Sequence, residues 1–442
     1  MTRSLLERSR AAVWHPCTQM KAHETLPLVP VARASGPWLY DPEGHRTLDA
    51  ISSWWTNLFG HCHPAINAAL KDQLDTLEHV MLAGFTHEPV VALSERLSAL
   101  TGGQLGHAFY ASDGASATEI ALKMSFHYWQ NTGHPEKREF LCLEGSYHGE
   151  TVGALNVTDV ALFRDAYAPL LRPARTVPSP DARRAEAGES AADVARRAAQ
   201  ALEQTLAGAE GRIAALIVEP LIQCATGFAM HDPDYLRRAR ALCDRYQVHL
   251  ICDEIAVGFG RTGTFFAHEQ ACAGMTPIRP DFLCLSKGIS GGYLPLSVVL
   301  TTDQVYAAFY DDRVTRGFLH SHSYTGNPLA CRAALATLDL FDALDVLNDN
   351  RRRAAVLTEA LAPLASHPRV RNFRHRGMIW AFDVDTDAKA FARRCFEEGL
   401  RREILIRPIG TTVYLMPPYI LSDADCRFLG ERLLAAVDAA LA

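Results

Sequence analysis

No block of lysine and arginine stands out in this chain of 442 residues, and its net charge of −6 is mild. Nucleic acid is therefore not an expected partner. The 11 cysteines are an odd set without a C-x-x-C pair, and several lie inside apolar runs (Cys142, Cys252, Cys284). That pattern excludes a disulfide framework and fits reduced, buried thiols of a cytoplasmic protein. No apolar run approaches the ~20 residues of a membrane span. The opening MTRSLLERSRAAVW has no apolar core of the kind a secretory signal needs. His61-Cys62-His63, with His79 and His87 further on, lacks an H-x-x-x-H helix or an acid at ligand spacing. No metal is expected, and these histidines read as capping or packing residues. Internal repeats and low-complexity tracts are also missing, which argues against solenoids and disorder.

What is present is a core-forming composition, 48% hydrophobic and 21% charged, and a rhythm of short apolar strands alternating with helices. The chain is organised around His249–Ser290. Two apolar runs, His249–Cys252 and Phe282–Leu285, have the length of buried parallel strands. One ends in Asp253-Glu254 and the other in Ser286-Lys287. In open α/β sheets, ligands bind at the carboxyl ends of neighbouring strands. A buried lysine loses its charge easily and becomes an amine nucleophile. A carboxylate beside it suits the ring nitrogen of pyridoxal phosphate (PLP). A purely structural Asp–Lys pair is the alternative.

Other stretches add to this frame. Asp41-Pro42-Glu43-Gly44 predicts a hairpin turn, and Pro64 predicts the start of a helix. Trp54 and Trp55, in ISSWWTNLFG, could wall an apolar pocket or merely cover the next helix. Ser112-Asp113-Gly114-Ala115-Ser116, after the strand HAFYA, opens a long helix whose N-terminus suits a phosphate or is simply capped. Tyr147 sits on a Gly-flanked loop after another strand, IAALIV ends at Glu219, and Asp232 is expected to cap the following helix. GFGRTG formally matches a dinucleotide fingerprint, but it begins well past the strand end and the next strand lacks the required acid. It reads as a tight loop presenting Arg261. The expected organisation is a large domain at 54–330, with residues 1–53 and the α+β block 331–442 forming a smaller one.

With these residues in view, the chain resembles the class III aminotransferases of PLP fold-type I over nearly its whole length. The resemblance rests on the strand ending in Asp253-Glu254, the glycine loop, the strand ending in Ser286-Lys287-Gly288, and HSHSYTGNPLA. It implies an α/β fold with a mostly parallel sheet and a homodimer. It also implies Lys287 as the lysine that bonds PLP, Asp253 as partner of the ring nitrogen, and Tyr147 as the stacking ring. Gly114 and Ala115 would hold the phosphate, with Ser323 reaching the phosphate of the other subunit. Trp54, Ser321, Arg407 and Tyr414 would meet substrate, together with Tyr147 and Lys287. Trp14-His15-Pro16, Ser52-Ser53-Trp54-Trp55 and the run Arg407-Pro408 to Tyr419 resemble the branch that moves an amino group from S-adenosylmethionine to 8-amino-7-oxononanoate. Cys17, Ala115, Ser323 and Glu150 depart from that branch's commoner tyrosine, serine, threonine and aspartate. An ω-amino-acid aminotransferase using pyruvate, an aminomutase and a non-catalytic binding module are the other readings.

Overall fold

The computed structural model describes residues 3–26 and 28–442. Its centre is a seven-stranded sheet built from His107–Ala111, Glu139–Leu143, Arg175–Val177, Ile213–Val218, His249–Asp253, Phe282–Leu285 and Ser297–Thr301. The Asp253 strand lies between Ile213–Val218 and Phe282–Leu285, parallel to both. Ser297–Thr301 alone runs against its neighbours, Phe282–Leu285 and His107–Ala111. The three central strands are buried at every position, which explains why they read as unbroken apolar runs without alternation. Parallel register brings the ends of these strands to one edge of the sheet, and Cα pairing sets Asp253 opposite Cys284.

Helices cover both faces. Gly114–Asn131 buries Ala117, Ile120, Ala121 and Met124 against the strands, with Asp113 as its N-cap. Pro328–Leu344 packs against Pro64–Leu74, and each begins with proline in its first turn, where a missing N–H costs nothing. The helix Pro64–Leu74 buries Ile66 and leaves Leu74 exposed at its end. Asp232 caps the next helix as expected: its Oδ1 accepts the Asp234 N–H at 2.9 Å, and Pro233 already has helical dihedrals ahead of Asp234–Arg245. The turn at Asp41–Gly44 joins the antiparallel strands Trp38–Tyr40 and Arg46–Asp49. That hairpin is joined in parallel by Ile404–Leu405, so both chain ends share one small sheet. A three-stranded sheet of Val370–Arg376, Ile379–Val384 and Thr412–Leu415 completes the C-terminal part.

Candidate active site

The edge where the central strands end opens into a cavity of about 350 Å³ lined by Trp55, Asp113, Gly114, Ala115, Tyr147, Glu219, Asp253 and Lys287, among others. Residues from six separate segments meet there, five of them because the sheet aligns the strand ends that they follow. Five of the expected site residues, Gly114, Ala115, Tyr147, Asp253 and Lys287, share this lining. Ser321 and Ser323 do not, and both are exposed on the loop before Pro328. Trp54, Arg407 and Tyr414 also lie outside the lining itself.

Lys287 stands two residues past the strand Phe282–Leu285 and takes a left-handed backbone, φ 45°. Its Nζ sits 5.1 Å from the centroid of Trp55. Burial pushes its pKa down, against a smaller opposing pull from Asp253, so the neutral amine is more accessible than on a surface lysine. Asp253 is not paired with Lys287. Its Oδ2 lies 2.7 Å from His148 Nδ1, both side chains are buried, and its Oδ1 accepts the Ile255 N–H at 3.0 Å. The simple Asp–Lys ion pair is therefore ruled out as the reason for these two residues. His148 Nε2, also buried, has no hydrogen-bond partner.

The Tyr147 loop is fixed at several points. Its backbone N–H donates to Glu219 Oε2 at 3.1 Å and its hydroxyl donates to Glu150 Oε1 at 2.8 Å. Burial, and then Glu150, raises the phenol pKa. Thr118 Oγ1 donates to the His148 carbonyl at 2.9 Å. At Gly149, φ is +121° and an added Cβ would come within 2.5 Å of Ala115 Cβ; only glycine lets this loop lie on the helix start. Asp113 caps that helix by accepting the Ser116 N–H at 2.9 Å.

Beside the cavity, Ser52 to Trp55 all have positive φ, between 45° and 73°. Ser52 Oγ donates to the Met416 carbonyl at 2.8 Å and Ser53 Oγ to Asp49 Oδ2 at 2.7 Å. This turn separates the two tryptophans. Trp55 turns inward to the cavity and to Tyr414, 6.0 Å between centroids, while Trp54 is 40% exposed under the Arg407 guanidinium, 4.7 Å away. Arg407 Nη2 donates to the Cys17 carbonyl at 3.3 Å. Arg261 is not presented to a ligand: it is buried and donates to the carbonyls of Asn57 and Pro417 at 3.1 and 2.6 Å.

A family profile, aminotransferase class III, matches residues 19–437. The chain belongs to the class III aminotransferases. An adenosylmethionine-8-amino-7-oxononanoate aminotransferase of Helicobacter pylori is 44% identical to it, over 96% of each chain. The crystal structure of the enzyme of that name from Methanocaldococcus jannaschii superposes with a TM-score of 0.90 at 31% identity, covering 98% of each chain. An amine transaminase from an uncultivated Pseudomonas species, solved with PLP bound, also gives 0.90 at 31%, covering 97% of this chain and 98% of its own. The protein is a PLP-dependent transaminase with the fold-type expected from its sequence. Its cavity suits that cofactor by its own chemistry: an amine-bearing lysine, a buried carboxylate, an aromatic loop and a helix start where Gly114 leaves room beside Ile255. His148 and Glu219 were not singled out as site residues from sequence, although the strand end at Glu219 was the signal that could have found the latter.

Proposed function

We infer that this transaminase moves an amino group from S-adenosylmethionine to 8-amino-7-oxononanoate, giving 7,8-diaminononanoate for biotin synthesis in the cytoplasm. The observation that supports this reading best is the near full-length similarity to curated aminotransferases of that name, 44% and 37% identical. The apposed Trp54 and Arg407 suit the acceptor: an indole face for its alkyl chain and a guanidinium for its carboxylate. PLP, when bound, supplies an electron sink for the carbon that loses a proton. Lys287 would hold the cofactor covalently and, as a free amine, would carry that proton as a general base. Its lowered pKa serves both tasks. Asp253, steadied by His148 and the Ile255 N–H, keeps a negative charge for the ring nitrogen. Tyr147 would stack on the ring from its place in the cavity lining. Asp113 caps Ser116, leaving the N–H groups of Gly114 and Ala115 for the phosphate.

The same reading takes residues 54–330 as the cofactor-binding domain and the two chain ends as the smaller one. It makes the protein a homodimer in which Ser323, exposed and outside its own chain's cavity, reaches the partner's phosphate and Ser321 lines the partner's substrate site. The ω-amino-acid transaminase reading is the rival, since the fold matches amine transaminases equally well. Mixing the PLP-loaded protein with single donors separates the two. S-adenosylmethionine is expected to bleach the visible band while alanine leaves it unchanged; bleaching by alanine alone would reject the proposed donor.

A further inference from the structure

Glu219 is a further carboxylate lining the cofactor cavity, and neither the lysine nor the aspartate chemistry uses it. It ends the strand Ile213–Val218 and is 5% exposed. Its two oxygens are committed to two different segments. Oε2 accepts the Tyr147 N–H at 3.1 Å and Oε1 accepts the Cys224 N–H at 3.0 Å. Its carbonyl lies 3.4 Å from His231 Nε2. Every one of these contacts spans separate segments, so the carboxylate acts as a fixed post between the Tyr147 loop and the hairpin that carries Cys224. An amide in its place could accept only one of these two N–H groups and would set its own NH2 against the other. Its surroundings also make the charge matter. His148 and Asp253 face it from the Tyr147 loop and the central strand, Lys287 from the next strand end, and Cys224 from its own hairpin.

We propose that Glu219 is a positioning residue for the transamination: its carboxylate holds the Tyr147 loop in place for the cofactor ring and adds negative charge to the cavity it shares with Lys287. The proposal rests on the PLP-transaminase reading and names a residue within it. Burial, opposed by His148, lifts the Glu219 pKa to about 7. Its charge therefore appears as the pH rises through neutrality, and that charge raises the proton affinity of Lys287.

The test is the pH titration of the bound cofactor's visible band, read without substrate, in the parent, Glu219→Gln and Glu219→Asp. Glu219→Gln removes the charge, and its amide nitrogen can no longer accept one of the two N–H groups. Its band is expected to follow the parent below about pH 6 and to depart above it, its midpoint moving down by roughly one pH unit. Glu219→Asp keeps the charge but retracts it from Tyr147, so its midpoint should stay near the parent's while the cofactor's visible circular dichroism weakens. Superimposable titrations of Glu219→Gln and parent overturn the proposal. Should Glu219→Gln fail to retain PLP, infrared difference spectra of the parent decide. Loss of a protonated buried carboxyl signal near neutral pH supports the proposal, and a spectrum without that change overturns it. A parent with no visible band after PLP loading would instead reject the transaminase reading itself.

Discussion

Arg407 carries its charge against an indole face and a backbone carbonyl, with Trp54 at 4.7 Å and Cys17 O at 3.3 Å. Neither contact neutralises a guanidinium as a carboxylate does, so the side chain is held in place while its charge remains available. Arg407→Ala is expected to weaken one or both half-reactions by about 1.5–3 kcal/mol, the scale of a charge-assisted hydrogen bond. The cofactor spectrum should stay that of the parent. Stopped-flow measurement of each half-reaction checks this, and unchanged efficiency in both would remove Arg407 from the substrate site. Residues of this kind were legible in sequence because they end apolar strands: Asp253, Lys287 and Arg407 each follow one. Their partners were not. His148 and Asp253 meet only because the Tyr147 loop converges on the end of the Asp253 strand at the sheet edge, and no local pattern encodes that pairing. Trp54 and Trp55 were legible as a pair, but nothing in Ser-Ser-Trp-Trp says which indole faces the cavity.

At the scale of elements, the decisive features are two backbone devices that propensity does not reveal. Four successive non-glycine residues with positive φ, Ser52 to Trp55, each cost about 1 kcal/mol or more. The turn persists because Ser52 and Ser53 tie it to Met416 O and Asp49. The first of those ties comes from the other end of the chain, so the sequence could show a polar, aromatic loop but not its hand. The second device is the contact of the Tyr147 loop with the start of helix Gly114–Asn131, where Gly149 touches Ala115. Gly149→Ala combines a disfavoured φ with a 2.5 Å clash, so either the loop or the helix start must shift. The expected cost is about 1–3 kcal/mol in thermal or urea unfolding, with weaker PLP retention on dialysis. Parent-like stability and retention together would show that the two elements are not rigidly joined. The strands, by contrast, were read almost as they stand, because full burial on both faces leaves an apolar run that needs no partner to be recognised.

At the scale of the whole molecule, two properties follow from sums over many groups. His231 and His249 are buried, and desolvation lowers both pKa values from 6.5 to about 4. Above 6.5 they are neutral in folded and unfolded chains alike, and their contribution is constant. As pH falls from 6.5 towards 4, the unfolded chain takes up two protons that the folded one refuses, so stability falls. Glu219, raised to about 7 from 4.5, works the other way: it holds a proton in the folded state that the unfolded chain releases. The histidines outnumber it, so urea unfolding with saturating PLP should show a lower midpoint at about pH 5 than at about pH 7.5. A flat profile would contradict the burial of the two rings. The second property is assembly. Tyr310, Val314, Leu319 and Tyr324 are between 63% and 81% exposed on the segment that also carries Ser321 and Ser323. Apolar exposure of that extent marks a contact surface, and in the proposed function its occupant is a second copy. Hybrid dimers test this more sharply than mass alone. Lys287→Ala removes the reacting amine of a subunit's own cavity, whereas Ser323→Asp, with its carboxylate against the phosphate, would cripple the partner's. Placing both changes in one subunit of a hybrid disables both cavities. Placing one in each subunit disables the same cavity twice and leaves the other intact. Co-expressed, differently tagged subunits are therefore expected to keep about half of parent activity in the second arrangement and little in the first. The reverse pattern would place Ser323 at its own chain's cofactor.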